Sequence, residues 1–355
     1  MHLKVSNVNE AFRTLVDGFH TGTIPTRHSP SRNGGVMVVD EPVTITYERP
    51  WERVLFNRAR DCNPFFHLFE ALWMLAGSRE VVPLAYYNSG ISRYSDDGET
   101  LNDAYGYRWR RHTTDLYDDT IGPDPKEVDQ LKVLIDHFKR HLDTRRAVLQ
   151  MWNVEDDLLK IDSSKSVCCN TAVYFLLRTV SVKGLLHYHL DMTVVNRSND
   201  LIWGTLGSDC VCFSLLQEYA AAAIGVQVGR YHQVTNNLHA YIERWTPQEW
   251  LNDDTPDCYT KPTGGAEVLV PLVKDVEAFD REVREFVDNP HRIGWLEPFF
   301  DDVAVPMCLA FKCHKERRYD VALKTLCHVK ADDWRRAATD WITKRQHNWE
   351  ARQSR

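Results

Sequence analysis

Between residues 145 and 197 the chain passes through three strand-like segments in succession, RRAVLQMW, VCCNTAVYFLLR and LLHYHLDMTVVNR. The third alternates in hydrophobicity with a period of 2, the pattern of a strand with one face in a core. DCVCFSLLQEYAAAAIG follows as a helix with so little charge that it belongs inside the molecule, and VQVGRYHQVTNN returns as a strand. The chain is therefore mixed α/β (α+β) without β-α-β regularity. With no GxGxxG turn either, a dinucleotide-binding fold is not supported.

The flanks fill in around this core. VNEAFRTLVDGF has helical spacing, and the polar HTGTIPTRHSPSRNGG reads as a loop. VMVVDEPVTITYE is a strand pair broken at Pro42. PFFHLFEALWMLAG is a strongly apolar helix opened by Pro64 and closed by Gly77. RYSDDGETLNDAYGYRWRR reads as a polar loop, PKEVDQLKVLIDHFKRHL as an amphipathic surface helix, and HAYIERW as the start of another helix. From about residue 271 the sequence is mostly helical and charged. Two units are expected: a catalytic domain over 1–270 and a helical extension, 271–355, packed on it.

The bulk numbers exclude some roles. A net charge of -7 argues against broad electrostatic binding to nucleic acid or an anionic membrane. No apolar run approaches the roughly 18 residues of a membrane span. Nine cysteines in a chain that starts without an apolar leader suggest reduced thiols and a cytoplasmic setting. Cys308, Cys313, His314, Cys327 and His328 are dense near the end, but no CxxC pair or HExxH helix accompanies them, so no metal is expected.

Several side chains suggest chemistry. SVCCN sets Cys168 and Cys169 at the start of an apolar strand; one could be a nucleophile beside a cation, or both could be small core residues. Glu70 stands alone in an apolar helix, where burial would raise its pKa and suit it to proton transfer, unless it faces solvent from the helix edge. Arg145-Arg146 before a strand and Arg197-Ser198 after one are candidate phosphate clamps, because guanidinium forks match phosphate oxygens.

Six segments in order over roughly residues 7–245 resemble the thymidylate synthase family: HLFEALWMLAG, AYGYRW, TRRAVLQMWN, VCCNTAVYF, NRSNDLIWG and NNLHAY. The resemblance implies that family's fold, a large mixed, mainly antiparallel sheet flanked by helices, with sheets packed back to back in a homodimer. It implies Cys169 as the nucleophile, with Asn170 in place of the family's histidine and on the substrate side. Glu70 and Tyr105 would move protons. Arg32, Arg197 and Ser198 would hold the phosphate of a pyrimidine nucleoside monophosphate, joined by Arg145 and Arg146 from the partner subunit. His239 and Tyr241 would bind the sugar, and Asp200, Trp203 and Gly204 would line the site of the co-substrate, 5,10-methylenetetrahydrofolate. The tail does not match the family's ordinary ending.

Asp209 sharpens the expectation. In the family's dUMP enzymes an asparagine near this point reads the uracil edge, whereas phage deoxycytidylate hydroxymethylases resemble this chain in carrying an aspartate after Arg-Ser-Asn-Asp. A carboxylate can accept from the N4 amino group of cytosine and share a proton with N3, although Asp209 could also be a helix N-cap. Ser92 stands where a tryptophan usually follows isoleucine, which should admit water to the one-carbon unit. The resemblance therefore points to dCMP 5-hydroxymethylation. The alternatives are a dCMP 5-methyltransferase, a CMP hydroxymethylase or a dUMP-using thymidylate synthase, and from another class a non-catalytic nucleotide- or RNA-binding relative.

Overall fold

The computed structural model describes residues 1–114, 126–260 and 268–354. Its centre is a six-stranded mixed sheet in the order β1 (His2–Val5), β4 (Val43–Tyr47), β11 (Gln227–Thr235), β9 (Leu185–Asn196), β8 (Asn170–Val182) and β7 (Val148–Gln150). The long β8–β9 hairpin is antiparallel, and β9 and β11 run parallel, so the sheet is mixed as expected. Inward residues of β8, β9 and β11 (Val173, Leu190, Met192, Val194 and Tyr231) are buried. The other face of the hairpin leaves Tyr174 and Leu176 about half exposed.

Two helices cover the inner face. α1 (Val8–Thr21) is capped by Asn7, whose side chain accepts from the N–H groups of Asn9 and Glu10. α6 (Asp209–Ile224) packs on β9 and β11 and stops at Gly225, in the left-handed conformation that glycine adopts without strain. Above it lies α2 (Pro64–Leu75), opened by the Asn63 cap and buried along its whole length. A helix apolar on every side needs neighbours on every side. α2 has them in α6, α3 (Val81–Tyr87), α4 (Tyr105–Arg110) and, in the tail, α8 (Val276–Asp288) and α11 (Asp332–Gln353). Rings seal the tail contact: Phe69 against Phe286, and Phe65 against Phe311 and Trp341. The tail's remaining helices are α9 (Val305–Lys315) and α10 (Tyr319–Leu326), and no helix among the described residues is long and apolar enough to cross a membrane.

Three stretches depart from the sequence reading. The expected loop before residue 34 contains β2 (Thr26–Ser31), which pairs with β3 (Gly34–Val39) in a hairpin. β2 is largely exposed on both faces, so no alternation marks it, and its order comes from pairing with the valine-rich β3. AYGYRW forms the short helix α4 rather than a loop. Gly106 allows it to lie against α2, because a Cβ there would meet the Met74 carbonyl oxygen at 1.9 Å. LHAY forms β12 (Leu238–Tyr241) rather than opening a helix, since it is held from both sides by β3 and β10 (Asn199–Asp200).

Candidate active site

The small sheet β10-β12-β3-β2 forms one wall of a cavity of about 810 Å3 that opens between it, α2 and the start of β8. Alternate residues of adjacent strands, Val36 and Val38 on β3 with His239 and Tyr241 on β12, face it together. Glu70, Tyr105, Cys169, Arg32, Arg197, Ser198, Asp200, Trp203, Gly204 and Asp209 complete the expected set that lines it.

Cys169 lies in the cavity and Cys168 does not: the Cys168 thiol is fully buried and directed to the Asn170 carbonyl at 3.0 Å. Arg197 frames Cys169. Its Nε donates to the Cys168 carbonyl at 2.9 Å, its Nη2 to the Val167 carbonyl at 2.8 Å, and Nη2 stands 3.7 Å from Cys169 Sγ. Burial pushes the Cys169 thiol up to about 11, opposed chiefly by Arg197. Further positive charge at the site would favour the thiolate. Tyr105, half-buried and stacked on Phe213, is within hydrogen-bonding reach of the same sulfur.

Glu70 is buried and pushed up to about 8 by loss of solvent, although the Ser208 hydroxyl donates to Oε2. It is therefore largely a neutral acid at pH 7, and the solvent-facing alternative is excluded. Asp209 opens α6 but, among the described residues, caps no backbone N–H; its Oδ2 instead accepts from Asn199 Nδ2 at 2.7 Å. Burial raises it to about 6. Asp200 does act as a cap, its Oδ1 accepting from the Ile202 and Trp203 N–H groups at the head of the wide helical turns Leu201–Ser208. Trp203, 41% exposed, stands at the mouth against Phe66, offering a flat apolar surface to a ring system.

Two groups of expected residues lie elsewhere. Asn170 is fully buried within the sheet, donating to the Val195 carbonyl at 2.9 Å and to Asn196 Oδ1 at 3.1 Å; it does not line the cavity. Its strand position turns it into the β8–β9 pairing, so the expectation that it touches substrate is not supported by its placement. Arg145 and Arg146 are exposed and reach no part of their own chain's cavity. Ser92 is exposed and off the wall, while Ile91, Tyr94 and Trp152 line it. Sequence reasoning missed Ser208, Asn199 and the half-buried acid Asp103, all of which line the cavity. The first two flank residues already chosen, and Asp103 immediately precedes AYGYRW.

A thiol beside a guanidinium, a buried carboxyl group, an arginine-serine pair and an aromatic shelf share one cavity. A family model of thymidylate synthase matches residues 60–262, and the chain belongs to that family. It is thus a one-carbon transferase of the class that uses methylenetetrahydrofolate as co-substrate. Among curated relatives, the deoxyuridylate hydroxymethyltransferase of Pseudomonas phage M6 is 40% identical over 366 residues, covering 99% of this chain and 97% of the relative. The protein of that name from Bacillus phage SP01 is 38% identical over 239 residues, 66% of this chain and 57% of the relative. The one from Delftia phage PhiW-14 is 26% identical over 280 residues, 74% and 71%.

Proposed function

We propose that this chain is a deoxyuridylate 5-hydroxymethyltransferase. The observation that carries the chemistry is Cys169 beside Arg197 in the same cavity as the neutral acid Glu70. The relatives' shared name, at 40% identity over nearly the whole chain, supports the uracil nucleotide and the hydroxymethyl product.

Cys169 Sγ adds to C6 of the pyrimidine and the electron pair of the C5–C6 bond moves to C5, which becomes the carbon nucleophile. Methylenetetrahydrofolate would give its methylene carbon to C5; loss of the C5 proton and cleavage of the carbon–nitrogen bond would release tetrahydrofolate and leave an exocyclic methylene. Arg197, Ser198 and Arg32 hold the phosphate, and His239 and Tyr241 the sugar. Tyr105 assists removal of the C5 proton. Glu70, coupled to Ser208, supplies and takes protons around the ring as water adds to the exocyclic carbon and Sγ leaves. Asp209 and Asn199 face the base edge.

The active form is proposed to be a homodimer, with Arg145 and Arg146 supplied to the partner's phosphate site. The half-exposed Tyr174 and Leu176 on the outer sheet face, and the exposure of both arginines away from their own cavity, support this. Nine free cysteines suit the reducing cytoplasm of a phage host.

One observation favours a second reading. Asp209 stands where the family's dUMP enzymes carry asparagine, and this supports deoxycytidylate. The test is incubation with dUMP, dCMP or CMP and methylenetetrahydrofolate, with mass analysis of the nucleotide. A hydroxymethyl product from dUMP is expected. Product from dCMP alone moves the assignment to the second reading, and a methyl product with release of dihydrofolate removes the hydroxymethyl part.

A further inference from the structure

The base pocket holds a pair of side chains rather than a single reader. Asn199 Nδ2 donates to Asp209 Oδ2 at 2.7 Å, while Asp209 Oδ1 has no hydrogen bond to the protein among the described residues. Both residues line the cavity. Asn199 is 6% exposed and held by its backbone, whose N–H donates to the Asn237 carbonyl at 2.9 Å. Its amide lies close against residue 204: a Cβ there would stand 1.9 Å from Asn199 Oδ1 and 3.3 Å from Asp209 Oδ2. Gly204 leaves room for the clamp.

We propose that Asn199 is a specificity-determining residue that acts through Asp209: by donating to Oδ2 it confines the Asp209 proton to Oδ1, so that a carboxylic acid reads one pyrimidine edge as a fixed amide would. Uracil offers an acceptor at O4 and a donor at N3–H; cytosine offers a donor at N4 and an acceptor at N3. A neutral carboxyl group can match either edge, because O–H and C=O exchange places when the proton changes oxygen. An acid free to move its proton would accept both bases. With Oδ2 held as acceptor, Oδ1–H is the donor, and only one base fits.

Burial raises Asp209 only to about 6, so in the free site it is largely ionised at pH 7, and the proton in question is taken up as nucleotide binds. Asp209 is faced by Glu70 on α2, Tyr47 on β4, Asp103 and Tyr105 at α4, Cys169 before β8, Asp200 on β10, and Tyr231 on β11. With Cys210 and Cys212 on its own helix, these are acids or neutral groups, with no lysine or arginine among them. A nucleotide dianion entering the site adds negative charge and excludes water, and both oppose ionisation.

The inference rests on the deoxyuridylate reading only for which base is preferred. The test compares wild type, D209N and N199A in the full chain, measuring kcat/KM for dUMP and dCMP from pH 5.5 to 8.5 (about 3 units spanning the usual His-to-neutral range). In D209N the new amide cannot set its NH2 against that of Asn199, so NH2 takes the place of Oδ1–H. D209N is expected to keep the wild-type base, with a selectivity that does not change with pH. N199A frees the proton, and the dUMP:dCMP selectivity should fall about 10- to 100-fold, as expected for losing one buried hydrogen-bond constraint. N199L preserves bulk without a donor and serves if N199A fails to fold. Equilibrium binding of the two nucleotides serves where a variant does not turn over. A D209N enzyme that switches base, or an Asn199 variant with unchanged selectivity, overturns the proposal. Wild-type preference for dCMP would instead overturn the substrate reading and leave the proton assignment to be judged by D209N.

Discussion

Two cavities lie on opposite sides of the segment 206–211, and they treat charge in opposite ways. The catalytic one contains Glu70, Asp103 and Asp209, none of them in an ion pair among the described residues, and burial raises all three. The other, about 640 Å3 between residues 53–64 and α11, is lined by charges that cancel. Arg58 meets Asp340 at 2.8 Å, Arg345 meets Asp61 at 2.5 Å with Lys344 at 3.7 Å from the same oxygen, and Arg53 meets Glu218. Asp253 accepts from the N–H groups of Ala59 and Thr255. Burying an acid without a cation is costly and holds it in the protonated form, which is useful only where protons must move. Paired charges fasten the tail to the core. The contrast distinguishes a reactive chamber from a joint more surely than size does.

That contrast can be broken experimentally. The largest effect is expected from Cys169→Ala, which should abolish turnover while leaving the thermal unfolding midpoint within a few degrees; substantial activity would remove the nucleophile. Glu70→Gln should lower kcat by roughly 10²- to 10⁴-fold, the usual worth of a general acid-base group. Because the folded Glu70 pKa lies above its unfolded value, the folded state holds more protons between about pH 4.5 and 8, and wild-type stability should decline as pH rises across that window. Denaturant melts of Glu70→Gln should show a shallower decline; an identical slope would mean that Glu70 ionises normally.

On the other side of the wall the outcomes should be structural. Trp341→Ala removes a ring packed on Phe65, Phe311 and His314, and should cost about 3–5 kcal/mol in denaturant unfolding, with kcat of the folded enzyme little changed. A collapse of kcat at intact stability would make the joint part of the reaction. The smallest effect belongs to Arg58→Ala: its ion pair with Asp340 is largely exposed on the arginine side, so about 0–1 kcal/mol is expected, diminishing with salt.

Much of this division was legible in the sequence. Glu70 stood out because its neighbours are apolar, and the ordered motifs grouped Cys169, Arg197 and His239, which line one cavity. Position along a strand was harder to read. Asn170 and Cys169 are adjacent, yet one faces the cavity and the other the sheet interior, since successive side chains point to opposite faces. Asp209 reads from the sequence as facing the base edge, with a helix cap as the alternative because Asp suits helix starts; its bond to Asn199 depends on a tertiary approach across the 201–208 turns, which no local pattern records. The charge-paired joint was equally hidden, as Asp61 and Arg345 are far apart in the chain and meet only when α11 packs down.

The two-rung pairing of β10 with β12, Asn199 opposite Leu238 and Asp200 opposite His239, ties the Asn199–Asp209 pair to His239 and Tyr241. Side chains alternate along β12, so a slip of one residue would turn Leu238 into the cavity and carry His239 and Tyr241 into the core. A single-residue insertion or deletion between α6 and β12 that shifted this strand would therefore withdraw His239 and Tyr241 from the cavity and disturb the Asn199–Asp209 pair in one event. These two parts of the cavity wall are one mechanical unit, and a change of loop length there preserves it only if it keeps that parity.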